Sequence, residues 1–441
     1  MISNIAIGTA GLAAMLALIV VRVPIAYAMI VVGIAGISLL DGSRIVFFQL
    51  KDLAYSTFSI YDLSVLPMFV LMGSLASRSG LSSDLFRGAN AWLGRFRGGV
   101  AMATIAACGG FGAVCGSSLA TASTMGQVAL PQLRRLNYAP SLATGTIAAG
   151  GTLGILIPPS VVLIVYAIII ETNIVTLFKA ALLPGLLAVF LFIGTIAIYV
   201  RIRPDAGPKG EPVSRRELLD GTVAVLPVFF IFGVVIGGIY AGLYNPTPAA
   251  AIGVFLVAVH GFGLRRLNFS DLISALLETA RTTGFIYLIL FGAALLSIFM
   301  SRAGVPQALA ELLHASGLPP LAILVLIIVI FLVLGMLMDS LSMIILAIPF
   351  FWPVIVGLDF GMSVDDLKIW FGVIALVVVE LGLITPPVGL NVFIINALAR
   401  DVPMRETFKG VMPFFLSEIL RVSLLVAFPS ITLLLPRLMG H

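Results

Sequence analysis

The sequence predicts an all-α polytopic membrane protein made of two inverted repeats, each with about five spanning helices and one re-entrant helical hairpin. Three observations predict it. First, of 441 residues 60% are apolar and 10% charged, with a mean hydropathy of +1.17, whereas a soluble domain carries roughly 25% charge. At about 20 residues per span, this leaves room for roughly ten crossings and for no extended soluble domain. Second, motifs recur at an offset near half the chain. Third, the basic residues fall on opposite sides of the two halves.

The first repeat covers residues 1–203, a cytoplasmic linker 204–216, and the second repeat 217–441. The linker lies in the extended polar stretch "RIRPDAGPKGEPVSRRE" from Arg201 to Glu217. On either side, "RVPIAYAMIVVGIAGISLL" from Arg22 matches "YNPTPAAAIGVFLVAVHGF" from Tyr244, and "ASRSG" ending at Gly80 matches "MSRAG" ending at Gly304. "GILIPPS" ending at Ser160 likewise matches "GLITPPVG" ending at Gly389. The offsets all lie near half the chain, which argues for an internal duplication.

Charge orients each half. Arg78, Arg87, Arg95 and Arg97 precede the apolar segment 98–136, and Arg134 and Arg135 end it, so both its flanks read as cytoplasmic. The corresponding segment 320–358 is flanked by Arg302, Glu311 and His314, then by Asp359, Asp365, Asp366 and Lys368, which reads as periplasmic. With five crossings per half, both termini are periplasmic and the repeats are inverted. The N-terminal apolar run has no basic residue before it and Arg22 after it, so it reads as a first span rather than a cleaved signal.

Segments 98–136 and 320–358 are each two spans or one hairpin. Their midpoints, "CGSSLATAST" and "MLMDSLSM", are small and polar rather than the charged loops expected in water, which favours hairpins. Each is followed by a broken helix, 141–170 and 370–399. Pro158-Pro159 and Pro386-Pro387 must interrupt these helices, because proline removes a donor and disfavours helix in the residue before it. The freed carbonyls are hard oxygen ligands suited to sodium, and the next half-helix presents amides to an anion.

Each polar residue at depth has two readings. Ser117 and Ser118 are close-packing small residues or, at a hairpin midpoint above a Pro-Pro break, ligands. Thr385 and Asn391 follow the same logic; a threonine at depth usually bonds back to its own helix, and the adjacent prolines are expected to remove that option. Asp339 costs at least ~2.5 kcal/mol on insertion scales unless paired or used. It is a functional candidate or the cap of the helix beginning at Ser340, and one residue could do both. Glu380 is expected to bond loop amides, and Glu418 with Arg421 to form a satisfied pair. "SRSGLSSDLFRGANAWLGRFRGG" reads as a helix along the cytoplasmic interface, with "SRAGVPQALAELLHASG" its counterpart on the other face.

Several functions are excluded. There is no phosphate-loop motif. Three histidines and two cysteines in separate settings make no haem pair, zinc cluster or disulfide framework. The net charge of +5 reflects loop arginines that set topology, not nucleic-acid binding. A serine protease would need a base near Ser117 or Ser118, and Asp339 lacks a second aspartate, so an intramembrane enzyme is a distant alternative.

The motifs "CGSSLATASTMGQVALPQL", "GGTLGILIPPSVVLIVYAI", "ETNIVTLFKAALLPGLL", "MDSLSMIILAIPFFWP" and "ELGLITPPVGLNVFIINA", in this order, closely resemble the large membrane subunit of tripartite ATP-independent periplasmic (TRAP) transporters, over nearly the whole chain. One departure, "LNYAP" at Asn137 where the family usually has glycine before the tyrosine, lies on a loop. The resemblance implies a sodium-driven importer of acidic organic solutes in the bacterial inner membrane, moving as an elevator. It implies two partners, a small four-helix membrane subunit and a periplasmic substrate-binding protein, and no cofactor beyond the coupling sodium ions. It further implies one sodium among Ser117, Ser118, Gly151, Gly154 and Pro158, and a second among Asp339, Ser340, Gly382, Thr385 and Pro387. Substrate would lie between them, near Ser118, Ser160 and Asn391. The alternative within transport is a sodium/dicarboxylate symporter that needs no binding protein.

Overall fold

A chain with this little charge must satisfy its backbone internally, and helices do so within a single segment. The computed structural model describes residues 3–210 and 213–439, and among them the only strand-like pairing is one bridge between Arg97 and Lys209. The linker residues Glu211 and Pro212 and both chain ends, whose sidedness the charge pattern addresses, lie outside the described residues.

The helices run in order as α1 (Asn4–Val20), α2 (Ile25–Asp41), α3 (Ser43–Phe58), α4 (Val65–Arg78) and α5 (Leu81–Leu93). They continue with α6 (Gly99–Cys115), α7 (Ser118–Arg135), α8 (Pro140–Leu156), α9 (Val161–Ile170) and α10 (Ile174–Ile202). After the linker come α11 (Arg215–Phe232), continued through a π turn into α12 (Gly238–Tyr240), then α13 (Pro246–Gly263), α14 (Phe269–Ala303) and α15 (Val305–Ala315). The chain closes with α16 (Pro320–Leu337), α17 (Ser340–Val356), α18 (Val364–Gly382), α19 (Leu390–Leu398), α20 (Met404–Ala427) and α21 (Ser430–Met439).

Helix starts follow local chemistry. Ser214 with Glu217 and Asn268 with Asp271 form capping boxes on α11 and α14. Ser363 caps α18, which therefore begins at Val364, ahead of the expected 370. Among the described residues six helices are long and apolar enough to cross a membrane, or up to eight if each of two bent helix pairs counts as one span. Further apolar helices of 10–17 residues lie beside them, α1, α2, α6, α17 and α21. The chain is a multi-pass helical membrane protein.

Close packing uses small residues, as expected where lipid supplies no hydrophobic drive between helices. Gly33, Gly36 and Gly292 let α2 lie against α14, where a Cβ at Gly36 would sit 2.3 Å from the Phe299 ring. Gly145 on α8 meets the backbone of Gly410 on α20, so a Cβ at Gly145 would lie 2.3 Å from it. Helices from the two halves of the chain thus share one interior. The amphipathic α5 buries Leu81, Leu85 and Phe86, binds Arg266 through Asp84, and ties to α11 by a Trp92-to-Thr222 hydrogen bond of 3.0 Å.

Candidate functional site

The first cluster forms where α6 gives way to α7. Gly116 takes a left-handed turn at φ +65, and its missing side chain matters, since a Cβ would lie 2.7 Å from the Pro159 carbonyl oxygen. Ser117 is extended and caps α7. The opposing wall is α8, which stops at Leu156; residues 157–160 run through Pro158-Pro159 before the buried Ser160 caps α9, and the two helices bend by 44°. Glycines set how closely these parts approach. A Cβ at Gly154 would lie 2.4 Å from the Thr121 hydroxyl and 2.6 Å from the Ser117 carbonyl, and one at Gly112 would lie 2.7 Å from Gly154.

The carbonyls of Ser117 and Pro159 and the hydroxyl of Thr121 are therefore gathered around one hairpin tip. Thr121 is buried, its oxygen has no hydrogen-bond partner among the described residues, and the Cys115 thiol lies beside it. Sequence reading overlooked Thr121; its one signal was a position one turn after Ser117. Oxygens beside the C-terminal ends of α6 and α8 favour a cation, and the amides opening α7 and α9 favour an anion.

The second cluster repeats the plan with other chemistry. α16 ends at Leu337, and Asp339 caps α17, accepting from the Ser342 amide at 3.1 Å and the Ser342 hydroxyl at 2.6 Å. The capping role of Asp339 is thus realised. Gly335 and Gly382 bring α16 and α18 into backbone contact, where a Cβ at Gly382 would lie 2.6 Å from Gly335. Gly112 and Gly154 likewise approach each other at the first tip.

Two readings require correction. Thr385 does bond back to its own helix, donating to the Leu381 carbonyl at 2.6 Å. The prolines do not prevent this because the helix tightens before them: the Thr385 amide bonds Gly382 instead, leaving the Leu381 carbonyl room for the hydroxyl. Glu380 bonds no loop amide among the described residues; it accepts from Ser118 through Oε2 and from Ser340 through Oε1, the latter at 2.5 Å. One fully buried carboxylate therefore holds both hairpin tips. Its signal in the sequence was an isolated acid near the end of the apolar α18.

The remaining candidates are spread around these tips. Gly151 faces Ala122 and the Asn391 amide, one turn from Gly154. Asn391 donates to the Ala148 carbonyl at 3.3 Å, and its own buried oxygen has no partner among the described residues. Pro387 stands in the second break. Ser118, Ser160 and Asn391 are all buried, with side chains turned to Glu380, the α9 amides and Ala148 respectively. Behind Glu380, Arg421 bonds Glu418 and reaches the Pro184 carbonyl at 3.4 Å, so the expected pair forms, but it is not fully satisfied: Glu418 Oε1 and Arg421 Nε are buried with no partner among the described residues. No group of three or more His, Cys, Asp or Glu side chains among the described residues could hold a metal ion.

Residues 12–431 match the family model of the tripartite ATP-independent periplasmic transporter, DctM component. The chain is 33% identical to the C4-dicarboxylate TRAP transporter large permease protein DctM of Pseudomonas aeruginosa, over 88% of each chain. It is 30% identical to the sialic acid TRAP transporter large permease protein SiaM of Vibrio cholerae, over 96% of this chain and 97% of that one. With the ectoine TRAP transporter large permease protein TeaC of Halomonas elongata the identity is 32%, over 85% and 86%. Among solved structures, the YdaH transporter of Alcanivorax borkumensis shares the fold, with a TM-score of 0.62 at 17% identity over 88% of this chain and 89% of that one. These matches describe transporter subunits and not enzymes, and the chain belongs to the DctM-component family of large TRAP permeases.

Proposed function

We propose that this chain is the translocating subunit of a sodium-coupled, binding-protein-dependent importer of acidic organic solutes. The observation that carries the reading is the convergence of two hairpin tips, each followed in the chain by a Pro-Pro break, on one buried carboxylate. The first sodium lies among Ser117, Ser118, Gly151, Gly154 and Pro158, with Thr121 as an additional hydroxyl. The second lies among Asp339, Ser340, Gly382, Thr385 and Pro387. In the second site Thr385 has its proton committed to Leu381, so its oxygen lone pairs remain for a cation. A carboxylate substrate sits between the sites near Ser118, Ser160 and Asn391, within reach of the N-terminal amides of α7 and α9. The relatives named for dicarboxylates, sialic acid and ectoine support carboxylate-bearing solutes as the class.

The two halves act as inverted repeats in the bacterial inner membrane, with both termini periplasmic and the tips carried by a domain that moves as an elevator. A small membrane subunit and a periplasmic binding protein complete the transporter. Energetically, each sodium entering down the membrane potential supplies about 2.3 kcal/mol per 100 mV, so two or more draw a dianion inward without nucleotide.

The test is the melting temperature of the purified chain in sodium chloride against choline chloride at matched ionic strength. A ligand bound only to the folded state stabilises by about 2.7 kcal/mol at a hundredfold excess over Kd. A sodium-specific rise is expected, followed by sodium-dependent uptake of acidic solutes by the reconstituted complex. Equal melting in both salts, with uptake indifferent to sodium, overturns the coupling ion.

A further inference from the structure

We propose that Glu380 is the positioning residue that couples the two cation sites, by accepting hydrogen bonds from the hydroxyls of Ser118 and Ser340, one on each carboxylate oxygen. The inference rests on the sodium reading above. Its geometry is specific. Ser118 opens α7 at one tip and Ser340 opens α17 at the other, 222 residues apart (340 − 118) in the chain. Each hydroxyl is buried, and each donates to a different oxygen of the same carboxylate.

A serine hydroxyl has one proton and two lone pairs. With its proton committed to Glu380, each serine turns its lone pairs away from the carboxylate, where a cation can use them. Sodium drawing on those lone pairs makes the O–H a stronger donor, which tightens its bond to Glu380 and fixes the carboxylate's position for the other tip. Occupancy of one site thereby raises affinity at the other, and linkage requires the effect to be reciprocal. Glu418 and Arg421 lie within electrostatic reach of Glu380 and form their own ion pair behind it, so the two tip hydroxyls are the direct hydrogen-bond donors to the carboxylate among the described residues.

Glutamine at this position cannot play the same part. Its oxygen accepts from one serine, but its NH2 group needs an acceptor and claims a lone pair of the other. Aspartate keeps the charge and is too short to span both hydroxyls.

The test is a sodium titration of the purified full-length protein, balanced with choline and followed by tryptophan fluorescence. Three variants accompany the wild type: Glu380→Gln, Glu380→Asp and Ser340→Ala. The wild type is expected to respond with a Hill coefficient above one. Glu380→Gln and Glu380→Asp should bring it to one and raise the midpoint at least about fivefold, the low end of ordinary coupling. Ser340→Ala should leave a single response, at the first site, with its midpoint raised although that site is untouched. If a Glu380 variant fails to fold, Ser340→Ala decides. A wild-type Hill coefficient of one, or wild-type midpoints in the variants that fold, overturns the coupling while leaving sodium binding intact. No wild-type response to sodium over choline sinks the sodium reading itself.

Discussion

Asn391 on α19 donates its side-chain amide to the Ala148 carbonyl on α8, 3.3 Å away, and so pins the half-helix after the second break to the unbroken stretch before the first. The same side chain leaves a buried oxygen without a partner, which is costly unless something else uses it. Asn391→Ala is expected to lower the melting temperature by the equivalent of about 1 kcal/mol for the lost hydrogen bond. It should also reduce uptake by the reconstituted complex, with a raised KM for the solute. A wild-type KM would remove Asn391 from the substrate's surroundings.

The first tip has no room for another methyl group. In Gly154→Ala the new Cβ would meet Thr121 and Ser117 at well under van der Waals distance, pushing the tip off the end of α8. The sodium-specific rise in melting temperature should then shrink to what the second site supplies. The control is Gly194→Ala on α10, which meets nothing within 4 Å; it should keep the sodium effect and gain up to about 1 kcal/mol from helix propensity.

At the second tip the cap and the charge can be separated. Asparagine is as good an N-cap as aspartate, so Asp339→Asn should melt like the wild type in choline while its sodium-induced rise shrinks. Asp339→Ala loses the cap as well, at a cost of about 1 kcal/mol in either salt. Full sodium activation of uptake in Asp339→Asn would take the carboxylate out of the mechanism.

Removing Glu418 alone should be worse than removing the pair. Glu418→Gln strands a fully buried Arg421, and breaking a buried pair in this way costs about 3–5 kcal/mol. Replacing both members with apolar side chains, Glu418→Leu with Arg421→Met, should restore much of the melting temperature, because well-packed apolar replacements of a buried pair are often neutral. A double variant no more stable than Glu418→Gln would show that Arg421 is needed for its bond to Pro184 instead.

Much of the candidate site is legible from local pattern. The tip at Ser117, the breaks at Pro158 and Pro386, and the cap at Asp339 each depend on residues within about one helical turn, so a short string of sequence carries them. Thr385 shows the limit of that reasoning. Its bond to Leu381 depends on how the helix tightens before the prolines, a backbone detail that residue type does not dictate. Glu380 shows it more strongly, since its partners stand 262 and 40 residues away.

By itself, then, the sequence determined that the chain lives in lipid, that it is helical, and where its helices are capped and broken. The physical reason is that a bilayer gives the backbone no outside partner and that caps and proline breaks act over a few residues. Only the tertiary structure decided that both tips converge on Glu380, that α8 and α20 touch through Gly145 and Gly410, and that Asn391 reaches across to Ala148. Those contacts join residues far apart in the chain. They arise from which small side chains allow two backbones to meet, and packing, not local propensity, makes that choice.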